Sequence, residues 1–173
     1  MLIREYQATD REGCIDIFKS NIPVFFTPQE LAEFKSWLDE QLQEKSSPTE
    51  INRYYVLEEE NNVIACGGFH INTLTSQATM TWGMVANRWH RKGFGKKLLE
   101  YRIYKIKALH PAAIILLDTT QHSYKFFETL GFAVTKITND YYAQGLDRYD
   151  MLLSPAGLVA SKRSIAPGDL PDD

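Results

Sequence analysis

The sequence has little cysteine: Cys14 and Cys66 are the two in 173 residues, too few for a disulfide framework and suited to a reducing compartment. It has no apolar run near the ~20 residues that a membrane span needs, so no membrane partner is expected. No basic segment followed by an apolar core opens the chain, and the expectation is a cytoplasmic protein without a secretory signal. Positive charge is not in excess. The 19 Lys and Arg against 22 Asp and Glu leave a net charge of −3, which speaks against a general nucleic-acid binder. There is no Cys-x-x-Cys, and the four histidines (70, 90, 110 and 122) lack compact metal-ligand spacing, so no metal is expected. A Gly-x-Ser-x-Gly elbow and internal repeats are also missing. What is present is the composition of one globular domain, 44% hydrophobic and 24% charged. A chain of this length can bury about 70% of its unfolded surface.

The hydrophobic pattern gives an element order of β-α-α-β-β-β-α-β-α-β-β. Residues 2–6 read as a strand. Thr9, Asp10 and Glu12 open a helix with the apolar stripe Cys14, Ile15, Phe18 and Ile22. Thr27-Pro28-Gln29-Glu30 has the form of a capping box, followed by Leu31, Phe34, Leu38 and Leu42 on one face. Strands are expected at 53–59, 63–71 and 78–85, with a bulge at Gly83. A helix over 93–109 carries Leu99, Ile103, Ile106 and His110 on one stripe. The apolar run 112–117 follows as a strand buried on both faces. A helix over 121–130 ends at Gly131, and strands at 132–138 and 147–153 are joined by the polar segment 139–146. Residues 1–153 form the domain, and 154–173 read as a tail.

The densest chemical signal runs from Met84 to Leu99. A strand leads into a basic, glycine-containing loop, and a helix leaves it. Gly93 and Gly95 let the backbone turn tightly and approach a ligand, the free N–H groups of the helix start point at it, and Arg91, Lys92, Lys96 and Lys97 add charge. The pattern suits an anion, most simply phosphate or pyrophosphate. It lacks the spacing of a Walker loop and the third small residue of a dinucleotide fingerprint. A helix start that uses glycine for packing and lysine for solubility would look the same.

The segment Val85 to His90-Arg91-Lys92-Gly93-Phe94-Gly95 resembles the acetyl-CoA-binding motif of the GNAT N-acetyltransferase superfamily, which ends Arg/Gln-x-x-Gly-x-Gly/Ala. Tyr124-Lys125-Phe126-Phe127-Glu128-Thr129-Leu130-Gly131-Phe132 resembles the same family's helix-to-strand segment ending Tyr-Glu-Lys-Leu-Gly-Phe. The resemblance implies an α/β fold of the α+β type: a mixed, mostly antiparallel twisted sheet of about seven strands, four flanking helices, and a splayed fourth and fifth strand. It also implies acetyl-CoA as cosubstrate. The pyrophosphate would lie on Arg91, Lys92, Gly93, Phe94, Gly95 and Lys96, and the pantetheine arm along Met84 and Val85. His90, Thr120, Ser123 and Phe127 would line the cofactor. His90 stands where the family usually has Arg or Gln, Thr120 where many members have Asn, and Phe127 where many have a proton-donating Tyr.

The missing donor is the smaller loss. A thiol with a pKa of ~8.5 is only ~1.5 units above neutrality, a deficit of about 2 kcal/mol. Freeing a Lys-like amine of pKa ~10.4 at pH 7 costs about 4.6 kcal/mol. A base is therefore worth more than an acid, and the fourth strand carries no carboxylate. The candidate polar groups on the acceptor side are His70, Tyr141, Tyr142, Asp147, Arg148 and Asp150. Tyr142 and Asp150 are the choices for acceptor chemistry, and Tyr124 is the choice for the missing acid. The expected function is transfer of acetyl to a primary amine of a small molecule or peptide by direct attack in a ternary complex. The alternative is a coenzyme-A-binding sensor or scaffold without transfer. A homodimer is the family-level expectation.

Overall fold

A computed structural model describes residues 1–43 and 47–155, so the expected tail lies, from residue 156 onward, outside the described residues. The elements are β1 (Leu2–Glu5), α1 (Arg11–Ser20), α2 (Glu30–Glu40), β2 (Glu50–Glu59), β3 (Asn62–Asn72), β4 (Gln77–Val85), α3 (Phe94–Leu109), β5 (Ile114–Thr119), α4 (Tyr124–Glu128), β6 (Ala133–Ala143) and β7 (Leu146–Leu153). Their order is the one the hydrophobic pattern gives. The seven strands form one sheet in the order β1-β2-β3-β4-β5-β7-β6. Every neighbouring pair is antiparallel except β4 and β5, which the α3 crossover makes parallel. No helix among the described residues is long and apolar enough to cross a membrane.

Alternation along the strands divides the core into two layers. Tyr55 and Leu57 of β2 face α3 and pack with Phe69, Ile71, Ile115, Leu117, Leu99 and Ile106. Tyr54 and Val56 face the other way, with Cys66 and Met84, against Ile15 and Phe18 of α1 and Phe34 and Leu38 of α2. Four consecutive buried residues in β2 are thus the mark of a strand covered on both faces.

Several boundaries differ from the sequence expectation for identifiable reasons. Asp10 does not cap α1 with its side chain. It is buried, and its carboxylate accepts Arg4 Nη1 and Nη2 at 2.7 and 2.8 Å and the Gln7 N–H at 2.8 Å, tying β1 to the start of α1. The Thr27 capping box forms in one direction: Glu30 accepts the Thr27 N–H at 2.7 Å and its hydroxyl at 2.9 Å, and the helix begins at Glu30. The last helix is shorter than expected. The Thr120 carbonyl gathers the Ser123 and Tyr124 N–H groups into a turn over its first residues. The polar segment 139–146 is mostly strand. β6 is an edge strand exposed along most of its length, so it needs no apolar alternation to be laid down.

Burial pushes the Asp10 carboxyl up, but the Arg4 guanidinium and the Gln7 N–H outweigh it and hold it below the ordinary carboxylate range. Asp10→Asn should lower the unfolding free energy at pH 7 by about 2 kcal/mol, read by urea titration. A group with a lowered native pKa contributes its stability above its unfolded value. The gap between the two proteins should therefore close as pH falls below ~3.9 towards the native value.

Candidate functional site

The site is organised by where β4 leaves β5. Only three residue pairs join them, Gln77 with Ile114, Ala78 with Ile115 and Thr79 with Leu116. Beyond Thr79 and Leu116 the strands part, and β4 runs on to Val85 with a free edge towards the gap. The β3–β4 register slips between Cys66 and Gly68, the bulge expected near Gly83. The left-handed residue there is Trp82, at φ 39°. Its ring is held among Phe18, Phe26 and Phe34 at 5.2–6.2 Å. Gly83 is exposed on one face, while on the other a Cβ would come within 2.8 Å of Arg102 Nη2.

Arg102 was not anticipated by the sequence pattern. It occupies a core position of the α3 stripe, only 4% exposed, with its guanidinium between Gly67 and Gly83. Nη1 donates to the Gly68 carbonyl at 3.1 Å, and Nε has no partner. Burial pulls its pKa down to about 10. The signal for it was Gly67 and Gly83 in two central strands, where missing side chains leave room for a large one from the facing helix.

At the far end of β4 the Ala86 N–H donates to Ile64 at 2.8 Å, so the peptide groups of Val85 alternate away from β3 into the gap. The Val85 carbonyl already accepts two donors, Asn21 Nδ2 at 2.9 Å and His90 Nε2 at 2.8 Å. Because a carbonyl only accepts, the proton on His90 sits on Nε2. Phe25 touches the ring of His90 edge-on at 5.4 Å and that of His122 at 6.2 Å, spanning from the β4 side to the β5 side.

The loop that follows has the backbone the glycines suggested. Arg91 and Gly93 lie at φ 61° and 86°, and the first α3 bond runs from the Lys97 N–H to the Gly93 carbonyl. The N–H groups of Phe94, Gly95 and Lys96 therefore have no helical partner. Lys92 stands 4.2 Å over the Trp89 ring, whose buried Nε1 has no partner. A Cβ on Gly95 would meet Val85 at 3.5 Å and Phe126 at 3.7 Å, so the loop lies close against the strand.

Two polar walls face the α1 and α2 side of the gap. On the β5 side the Tyr142 hydroxyl donates to Asp118, and Arg148 joins Asp150 at 2.7 Å and Asp118 at 3.7 Å. Burial and the Asp118 carboxylate push the Tyr142 phenol up. On the β4 side a cavity of about 500 Å³ is lined by Trp37, Ser47, Glu50, Asn52, His70 and Thr81. Of the expected acid and base residues, Tyr142 and Asp150 thus fall in one cluster. Tyr124 lies apart from them, stacked on Tyr149 at 4.5 Å and packed on the α3-side core. Phe127 packs there too, edge-on to Phe126 and Phe132. The Thr120 hydroxyl accepts the His122 N–H at 3.4 Å, and Ser123 is the N-cap position of α4. Asp118, Asn21 and Glu50 were missed because each is a lone polar residue in the sequence, given meaning only by its neighbours in space.

The sequence profile of the acetyltransferase (GNAT) domain matches residues 25–155. This chain belongs to the GNAT acetyltransferase family. It is therefore an acyltransferase, and solved GNAT folds superpose along nearly their whole length. The Escherichia coli ribosomal-protein-S18-alanine N-acetyltransferase does so with a TM-score of 0.69 at 20% identity, covering 99% of each chain. An aminoglycoside 6'-N-acetyltransferase complexed with coenzyme A gives 0.69 at 13% identity, covering 90% of this chain and 97% of its own. A spermidine N-acetyltransferase chimera drawn in part from Vibrio cholerae gives 0.71 at 15% identity, covering 91% and 97%. No curated protein sequence matches the chain. The parting of β4 and β5 in this GNAT chain is the splay that the resemblance implied.

Gly83→Ala should destabilise the protein by about 1–3 kcal/mol, because its methyl enters the space of the buried guanidinium. Adding Arg102→Met, which vacates that space without leaving a charge, should recover most of the loss. A double-mutant cycle in urea checks both steps, and additive losses would show that the contact is not the cause.

Proposed function

We propose that this protein is an acetyl-CoA-dependent N-acetyltransferase that moves an acetyl group to a primary amine by direct attack in a ternary complex. The observation that carries the proposal is the free edge of β4, which runs from the gap beyond Thr79 straight into a helix start with unpaired N–H groups and a left-handed glycine. These parts fit the cosubstrate in order. The N–H groups and side chains of Arg91, Lys92, Gly93, Phe94, Gly95 and Lys96 hold the pyrophosphate. Met84 and Val85 offer an edge to the amide-bearing arm, with His90, Thr120, Ser123 and Phe127 at its sides. Acetyl-CoA supplies the acetyl group as an activated thioester. The Val85 N–H, directed into the gap, is offered to the amide-bearing arm.

Direct attack is supported by the cysteines. Both Cys14 and Cys66 are fully buried, and contact between them together with burial pushes the Cys14 thiol up, so neither is a competent nucleophile. The wall of Asp118, Tyr142, Arg148 and Asp150 orients the acceptor from the β5 side. A second reading follows from Phe127, which has no proton to give: a chain that binds coenzyme A without transferring acetyl.

Saturating coenzyme A, at a hundredfold excess over Kd, should add about 2.7 kcal/mol and raise Tm by about 5–10 °C. Gly93→Val with Gly95→Val should abolish that rise. Free-thiol detection with acetyl-CoA and a panel of primary amines then separates the readings. Thiol release supports transfer, and a Tm rise without thiol release supports the binding module.

A further inference from the structure

We infer that His70, held by Glu50, is the proton acceptor for the amine, and that the acceptor is a small primary amine seated against Trp37. The inference rests on the transfer reading above and adds the group that frees the nucleophile. Glu50 faces Asn72 across the β2–β3 ladder and lies diagonal to His70. Its two oxygens are both used: one accepts Asn72 Nδ2 at 3.0 Å, the other meets His70 Nε2. A carboxylate only accepts, so His70 turns Nε2–H towards Glu50, and in the neutral imidazole the lone pair is then on Nδ1. The imidazole is thereby fixed in one tautomer with a counter-charge behind it, the arrangement by which a carboxylate readies a histidine to take a proton.

The placement is as specific as the chemistry. His70 and Glu50 line the cavity of about 500 Å³ together with Asn52, Trp37 and Thr81. That volume suits a small molecule. Thr81 joins the cavity to the gap. It lies two residues past Thr79, the last β4 residue paired with β5, and its buried hydroxyl has no partner. An amine entering the cavity over the Trp37 ring, which favours a cation on its face, is brought to the free edge of β4 where the thioester is presented. The opposite wall offers no equivalent base, since Tyr142 is already donating to Asp118 and Asp150 is paired with Arg148.

The proton balance is complete without another reagent. The ammonium gives one proton to His70 Nδ1, and the freed nitrogen lone pair attacks the thioester carbonyl carbon. The C–N bond forms, the C–S bond breaks, and its electron pair leaves on sulfur. The nitrogen then sheds a second proton, the thiolate takes up one, and His70 returns the first to solvent, for a net release of one proton.

The test is the pH dependence of kcat/KM for wild type, His70→Gln and Glu50→Gln, with the best substrate from ethanolamine, tyramine, putrescine, lysine methyl ester and alanylglycine. Calorimetric affinity for coenzyme A is measured on each protein. His70→Gln should lose about 10²-fold or more at pH 7 with unchanged coenzyme A affinity. Its deficit should shrink towards pH 10, where the amine frees itself. Glu50→Gln, which can still accept from Nε2 but carries no charge, should fall between the two. A His70→Gln protein within twofold of wild type at pH 7, or one with the same deficit at every pH, overturns the assignment. A preference for alanylglycine over every small amine overturns the substrate class. Wild type that binds coenzyme A but releases thiol with none of the five overturns the transfer reading, and the assignment with it.

Discussion

β4 and β5 are held side by side by three residue pairs and then let go. Everything distinctive about the molecule hangs on that release. Parallel pairing requires a crossover, and the crossover is α3, whose first turn is thereby planted at the end of the strand that has just come free. The same parting leaves the peptide edge of β4 without a partner and sets Thr81 and Asp118, each two residues beyond the last pair, on opposite banks of one opening. A bulge at Trp82 helps β4 turn away, and a cluster of phenylalanines holds the indole that the bulge displaces.

The opening is costly to maintain, and the surrounding residues show how the protein manages it. An unpaired edge would ordinarily recruit another strand. Here the Val85 carbonyl is covered by Asn21 from the end of α1 and by His90 from the following loop. Beneath the bulge, a buried arginine fills the space that Gly67 and Gly83 vacate, and it donates to the Gly68 carbonyl. Such a group is a poor source of stability. Its value lies in shape, because it fills the space beneath the bulge from the helix side.

The sequence carried the fold well because its main signals are periodic. The stripe of α1 and the glycine-punctuated start of α3 are local patterns, and such patterns gave the order of the elements, while the strand order in the sheet came from the structure. The family's loop was legible for the same reason: Gly93 and Gly95 lie two residues apart in one short segment. The polar chemistry was harder to see. His70 and Glu50 are twenty residues apart on different strands, and it is the register of β2 on β3 that makes them partners. Tyr142 and Asp150 were chosen as isolated residues, and their involvement with Asp118 and Arg148 is a property of the assembled sheet. Arg102 was hidden by its charge, since a stripe of apolar positions gives no reason to count an arginine among the core.

A sheet with one short seam behaves as two leaves on a common spine. One leaf carries β1 to β4 and the other β5, β7 and β6, and the fasteners between them are three rungs, α3, and the aromatic bridge of Phe25 to His90 and His122. Whatever lies in the fold of this book supplies the rungs that the strands do not. The strength of the seam beyond Thr79 and Leu116 is then set by how many backbone bonds such a ligand makes to β4, not by the strands themselves.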